Sequence, residues 1–138
     1  MTINNKIRVV IIDDYDMTRM LLRIILNGEN YDVVGEASDG KEGVDLCLQL
    51  KPDLILLDVI MPVMNGLEAL DIIHAQLPQT MVLMVTGNDD AEMVSQAKKN
   101  GASGCIAKPI NAKSVLGTLL QYNEQLVLIS STHGNDIN

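Results

Sequence analysis

Tryptophan and phenylalanine are missing from this chain, and tyrosine occurs three times. A surface that stacks bases needs aromatic faces beside clustered cations. The sequence offers no aromatic platform and no basic patch, so direct nucleic-acid binding is not expected. Cysteine is equally sparse. Cys47 and Cys105 lie far apart with no histidine nearby, which speaks against a disulfide framework or a thiolate metal site. Both read as small buried hydrophobes. No apolar run reaches the roughly 20 residues that span a bilayer. The start, MTINNKIRVV, lacks the apolar segment of a signal peptide. The expectation is a cytoplasmic protein with no membrane association. Internal repeats and low-complexity tracts are also missing.

What is present is apolar and acidic. Hydrophobic residues make up 47% of 138, enough for one domain with a substantial core. Eight methionines, with Leu, Ile and Val, must fill that core. The net charge of −8 suits a divalent cation or a basic partner.

Along the chain, short apolar runs alternate with helical patterns. Val9–Ile12 reads as a first strand. Met17, Met20, Leu21, Ile24 and Ile25 then fall on one helical face, with Arg19 and Arg23 off it. Asn27-Gly28 ends that helix. Tyr31–Ala37 reads as a second strand, and Asp39 with Glu42 forms a capping box for the helix carrying Val44, Cys47 and Leu48. Asp53–Val59 is the third strand. Its Leu54–Leu57 stretch is apolar throughout, as in a parallel strand covered on both faces. Asn65-Gly66 opens a helix with Leu67, Leu70 and Ile73, and Met81–Val85 is the fourth strand. Asp89 and Glu92 cap a helix with Met93, Val94 and Ala97. Cys105–Ala107 is a short fifth strand, and Asn111 caps a helix with Val115, Leu116, Leu119 and Leu120. Five strand–helix units predict an α/β protein with an open, doubly wound, five-stranded parallel sheet and helices on both faces. The domain spans residues 6–123. Residues 124–138 form a C-terminal tail, a helix extension and then a disordered end.

In such a sheet, ligands bind beyond the carboxyl ends of the strands. The first strand ends in Asp13 and Asp14, the third in Asp58, the fourth in Thr86 and Gly87, the fifth in Lys108 and Pro109. Three converging carboxylates repel one another unless a counterion intervenes. Mg²⁺ (or Mn²⁺) relieves that repulsion and accepts carboxylate, water and phosphate oxygens. Acids, metal, a lysine and a hydroxyl together are what phosphoryl transfer requires. Each residue alone is weak evidence, since an Asp after a strand is usually a helix cap and a lone Lys is usually solvated.

The segments VVIIDD, LILLDVIMPVMNG, VLMVTG and GASGCIAKP resemble the response-regulator receiver domain of two-component signalling, in a stand-alone, chemotaxis-regulator-like form. The resemblance covers roughly residues 6–123. It implies a flavodoxin-like fold with strand order 2-1-3-4-5. It implies that Asp58 is the phosphoacceptor, taking a phosphoryl group from a histidine kinase or a phosphotransfer protein. Asp13, Asp14, Asp58 and the backbone carbonyl of Ile60 would hold the metal. Lys108 and Thr86 would contact the phosphoryl group, with Gly87 leaving room for it. The Lys108–Pro109 peptide bond would be cis. Such a protein is not an enzyme in the usual sense, although it assists its own phosphorylation and dephosphorylation. Phosphorylation would change a face within residues 89–122 that meets a downstream protein, or a second copy in a homodimer. Ile60 and Asn88 would tune hydrolysis.

The resemblance departs at Cys105, where the family usually carries Tyr or Phe. A thiol cannot swing a ring between buried and exposed positions. The readout would then run through the loop after the fourth strand, or the protein would pass its phosphoryl group onward; a redox role for Cys105 ranks last. A different class also deserves weighing. Asp14-Tyr15-Asp16-Met17-Thr18 fits the DxDxT motif of haloacid-dehalogenase-type phosphatases, with Asp14 as nucleophile. Those enzymes need an acidic pair after the lysine, and only Glu124 and Asp136 follow Lys108. Asp58 would also have no role. Asp16 reads more simply as the N-cap of the first helix, and Tyr15 as packing on that helix. A flavodoxin-like cofactor binder is the third class. It is disfavoured because an acid-lined mouth repels a flavin phosphate. His74 reads as helix surface.

Overall fold

A computed structural model describes residues 6–28, 30–87 and 91–135. Strands β1 (Ile7–Ile12), β2 (Tyr31–Ala37), β3 (Leu54–Asp58), β4 (Met81–Thr86) and β5 (Gly104–Ala107) pair in parallel, in the order β2-β1-β3-β4-β5. Helices α1 (Asp16–Leu26), α2 (Gly40–Leu50), α3 (Gly66–Gln76), α4 (Ala91–Lys99), α5 (Ala112–Gln121) and α6 (Asn123–Asn135) follow in alternation. This is the doubly wound α/β fold expected from the strand–helix alternation.

Side chains alternate across the sheet, so each central strand feeds two cores. Val10, Ile12, Ile55, Leu57, Val82 and Met84 pack under α2, α3 and α4 through Cys47, Leu70, Ile73 and Ala97. Val9, Ile11, Leu54, Leu56, Leu83 and Val85 pack under α1, α5 and α6 through Leu22, Leu26, Val115, Leu119 and Leu126. Caps place the helix starts. The Asn65 side chain accepts the Glu68 N–H while Glu68 reaches back to the Asn65 N–H, and Asn111 with Ser114 does the same. Asp39 accepts the Glu42 N–H at 2.8 Å. The expected cap at Asp89 lies outside the described residues.

Three expectations need correction. The buried side of α1 is Leu22 and Leu26, whereas Met17, Met20, Leu21 and Ile24 are exposed. Arg19 turns inward instead, because its guanidinium finds acceptors there. The N-cap position of α1 is Tyr15, with no side-chain cap bond, and Asp16 is the first helical residue. Asp16 pairs with Arg19 instead. Finally, residues 131–135, placed in the disordered end of the tail, continue α6, and Leu126 of that helix is fully buried against the β1 side of the core. Tyr122 separates α5 from α6 and donates its hydroxyl to the Ser103 carbonyl at 3.2 Å. Residues 136–138 lie outside the described part. Among the described residues, no helix is long and apolar enough to cross a membrane.

Candidate functional site

Parallel strands bring their carboxyl ends to one edge of the sheet, and β1 and β3 are neighbours at its centre. Asp13 and Asp14 leave β1 there, and Asp58 closes β3. One carboxylate oxygen from each of the three lies within 4.8 Å of the other two. Asp13 and Asp58 are buried, while Asp14 is exposed. Gly66 makes this packing feasible. A Cβ at that position would sit 2.2 Å from the Asp58 carbonyl oxygen, so only glycine lets the start of α3 lie on the end of β3.

Burial and repulsion act together on the acids. Loss of solvent, followed by the neighbouring Asp13 carboxylate, pushes Asp58 up to about 6; Lys108 and the Ile60 backbone N–H pull the other way. Burial also raises Asp13, against the N–H of Tyr15, which reaches its Oδ1 at 2.9 Å. Among the described residues, Asp13 Oδ2 is buried with no hydrogen-bond partner. A buried carboxylate oxygen without a donor, facing two further carboxylates, fits a hard divalent cation. Lys108 Nζ stands 3.5 Å from Asp58 Oδ1, an ion pair too long for a strong hydrogen bond. The Lys108–Pro109 bond is cis. Thr86, buried at the end of β4, donates its hydroxyl to the Gly87 carbonyl at 3.3 Å.

The strand-end residues singled out from sequence thus meet at one edge. Others do not join them. The Asp16 carboxyl is 90% exposed and turned to Arg19, outside the acid cluster, which removes the acid/base partner that the phosphatase reading requires. Tyr15 is 65% exposed and not packed on α1 as expected. Ile60 is exposed beside Asp58, and Asn88 lies outside the described residues. His74 is exposed on α3. Cys47 is a buried hydrophobe whose thiol burial pushes up to about 12; Cys105 is only half-buried.

Arg19 escaped the sequence reading, which left it off the apolar face of α1. Its Nη1 donates to the Asp13 carbonyl oxygen at 2.6 Å, and its Nε lies 3.7 Å from Glu36 of β2. Arg23 pairs with the same Glu36. The guanidinium therefore ties α1 and β2 to the backbone of the acid pair. The one signal in the sequence is Asp16 three residues before Arg19, an i,i+3 pair.

Comparison with known proteins agrees with this geometry. The response regulator receiver domain profile matches residues 9–120. Protein CcdB of Bacillus subtilis is 39% identical over 109 residues, covering 79% of this chain and 91% of that protein. The chemotaxis protein CheY of Thermotoga maritima is 37% identical over 112 residues, covering 81% and 93%. The crystal structure of the response regulator domain of Thermotoga maritima CheB superposes with a TM-score of 0.76 at 35% identity, covering 91% of this chain and 97% of that one. The chain belongs to the response regulator receiver domains, the phosphoacceptor switch modules of two-component signalling.

Proposed function

We propose that Asp58 is the phosphoacceptor. The observation that carries this reading is its position: a buried carboxylate shared between two acids and one lysine, at the end of the central strand. A carboxylate oxygen of Asp58 attacks the phosphorus of a phosphohistidine on a histidine kinase or phosphotransfer protein. The P–N bond breaks, its electron pair leaves with the imidazole, and an acyl phosphate forms on Asp58. Asp13, Asp14, Asp58 and the Ile60 carbonyl would hold a Mg²⁺ (or Mn²⁺) ion, which would offset the charge of the acids and of the phosphoryl oxygens.

Lys108 supplies a fixed positive charge to a phosphoryl oxygen. Thr86 gives up its bond to the Gly87 carbonyl and donates to the phosphoryl group instead, and the open space beside Gly87 allows the approach. The new group brings about −1.5 to −2 charge. Its contacts exist only in the phosphorylated form, so they shift the population of the β4–α4 loop, α4 and β5. A downstream protein, or a second copy, reads the change within residues 89–122. The protein works in the cytoplasm, and its chemistry is confined to gaining and losing its own phosphoryl group.

Intact mass after incubation with acetyl phosphate tests this. Wild type is expected to gain one phosphoryl group only when Mg²⁺ is present, and Asp58→Asn none. Label that survives in Asp58→Asn but disappears in Asp14→Asn would instead make Asp14 the nucleophile.

A further inference from the structure

The two acids at the end of β1 are held in different ways. In Asp13 the fold fixes both backbone groups and one carboxylate oxygen. Its N–H donates to the Ala37 carbonyl of β2 at 3.0 Å, its Oδ1 accepts the Tyr15 N–H at 2.9 Å, and its carbonyl oxygen accepts Arg19 Nη1 at 2.6 Å. What remains is Oδ2, the buried oxygen without a partner among the described residues. Asp14 has no such support. Its carboxylate is exposed, and among the described residues no hydrogen bond or ion pair holds it. Its direction is therefore set by its backbone. The Asp13 carbonyl lies in the peptide plane that joins the two acids, so the bond from Arg19 fixes the plane from which Asp14 projects.

Arg19 is itself held on three sides. Its side chain is 16% exposed, and its three nitrogens have three different partners. Nη1 takes the Asp13 carbonyl, Nη2 pairs with Asp16 in the same helix, and Nε lies 3.7 Å from Glu36 of β2. Glu36 in turn pairs with Arg23, one turn further along α1. A rigid guanidinium fork can serve three acceptors at once, whereas a lysine has a single nitrogen on a flexible stem. The charge of Arg19 is unfavourable to any cation that the acids bind, because like charges repel. What it gives a cation site is geometry.

We propose that Arg19 is a positioning residue for the divalent cation: it locks the Asp13–Asp14 peptide plane so that both carboxylates face Asp58. The inference rests on the metal site proposed above and adds to it a residue that is not a ligand. Partners that orient metal ligands from behind are worth about 10- to 100-fold in affinity.

The test is a titration of the full chain with Mn²⁺, with the free ion counted by electron paramagnetic resonance, so that no phosphoryl transfer is needed. Arg19→Met is expected to weaken binding on the order of tenfold, and Arg19→Lys to weaken it as well. Arg23→Met loses a Glu36 pair on the same helix without touching Asp13, and should stay within about twofold of wild type. The opposite pattern decides against positioning. If Arg19 acted by charge alone, its replacement by Met would tighten Mn²⁺ binding and its replacement by Lys would change nothing. Arg19→Lys settles the matter if Arg19→Met does not fold. Equal weakening in Arg23→Met would also overturn the proposal, since the effect would then come from the seating of α1. Labelling by acetyl phosphate gives a second readout. In Arg19→Met the Mg²⁺ concentration for half-maximal rate should rise on the order of tenfold, with the rate at saturating Mg²⁺ nearly kept. A rate lowered at every Mg²⁺ concentration, with Mn²⁺ affinity intact, would leave Arg19 a purely structural role. Asp14→Asn separates this inference from the metal reading beneath it. Mn²⁺ binding that needs Asp14 but ignores Arg19 sinks the inference alone, and binding that ignores Asp14 sinks both.

Discussion

The site edge has two halves that are built differently. Around β1 and β3 the structure is close-packed and electrostatically loaded. Two of three carboxylates are buried, one carboxylate oxygen has no donor among the described residues, and the start of α3 rests on the backbone of Asp58. Around β4 and β5 it is open. A methyl group added at Gly87 would meet no described atom within 4 Å, and short side chains leave a cavity beside Thr86. On the reading proposed above, the close-packed half would keep repelling groups together until cation and phosphoryl group arrive. The open half has room to rearrange, which is what a readout needs.

Glycine substitutions should separate the halves most sharply. Gly66→Ala must push α3 away from Asp58 and is expected to cost about 3 kcal/mol or more, with a matching loss of labelling by acetyl phosphate. Gly87→Ala, with open space around it, should change stability by less than about 0.5 kcal/mol. Calorimetric melting of the pair measures both, and equal losses would erase the contrast between the halves.

Next in size is the one lysine that crosses from the open half to the acids. Lys108→Met removes the cation that lowers the Asp58 pKa. Asp58 should titrate higher still, and labelling at neutral pH should slow on the order of tenfold to a hundredfold. Stopped labelling followed by intact mass gives the rate, and an unchanged rate would remove Lys108 from the site.

The electrostatic load itself should be visible in stability. Asp58 titrates near 6 in the folded protein against 3.8 as its ordinary value. A raised carboxylate favours folding fully below pH 3.8, and that advantage is lost as the pH rises through 6. Asp58→Asn escapes the loss, so it should be more stable than wild type by about 3 kcal/mol at pH 8 without divalent ions. The gap should close as the pH approaches 4. Mg²⁺ at pH 8 should stabilise wild type more than the variant. Urea melts across that range check each part, and a gap that grows on acidification would reverse the assignment.

A smaller load lies in the loop after β3. Val63 has φ of 70°, and the Met64 N–H bonds to the Pro62 carbonyl at 2.7 Å, a γ-turn centred on a β-branched residue. Glycine tolerates that backbone without strain, so Val63→Gly should stabilise by about 1 kcal/mol despite its freer unfolded chain. A loss of stability on melting would mean that the 80% exposed valine makes a contact worth more than its strain.

Much of the site was legible because strand ends are easy to read. An apolar run such as Leu54–Leu57 must be covered on both faces, so the first polar residue after it marks where the strand meets solvent. Parallel pairing then carries Asp13, Asp58, Thr86 and Lys108 to a common edge. The face of α1 was not legible in the same way. Its sequence carries two candidate apolar stripes, Met17-Met20-Leu21-Ile24 and Leu22-Leu26, and periodicity favours the longer one. The structure buries the shorter because Arg19 gains the Asp13 carbonyl and Glu36 by turning inward. The helix extension after residue 123 was legible in the apolar run Leu126–Ile129, but its continuation to Asn135 and the full burial of Leu126 were not, because all four residues of that run are apolar and only the packed core selects one of them.

The sequence by itself therefore determined the alternation, the parallel sheet and the identity of the strand-end residues, since these follow from local apolar patterning and the direction of the chain. The tertiary structure alone decided which side of α1 is buried, that Asp13 keeps an oxygen without a described partner, and that a cavity opens between α4 and β5. Those features depend on distances between residues far apart in the chain. Burial, repulsion and empty space arise only when such residues are brought together.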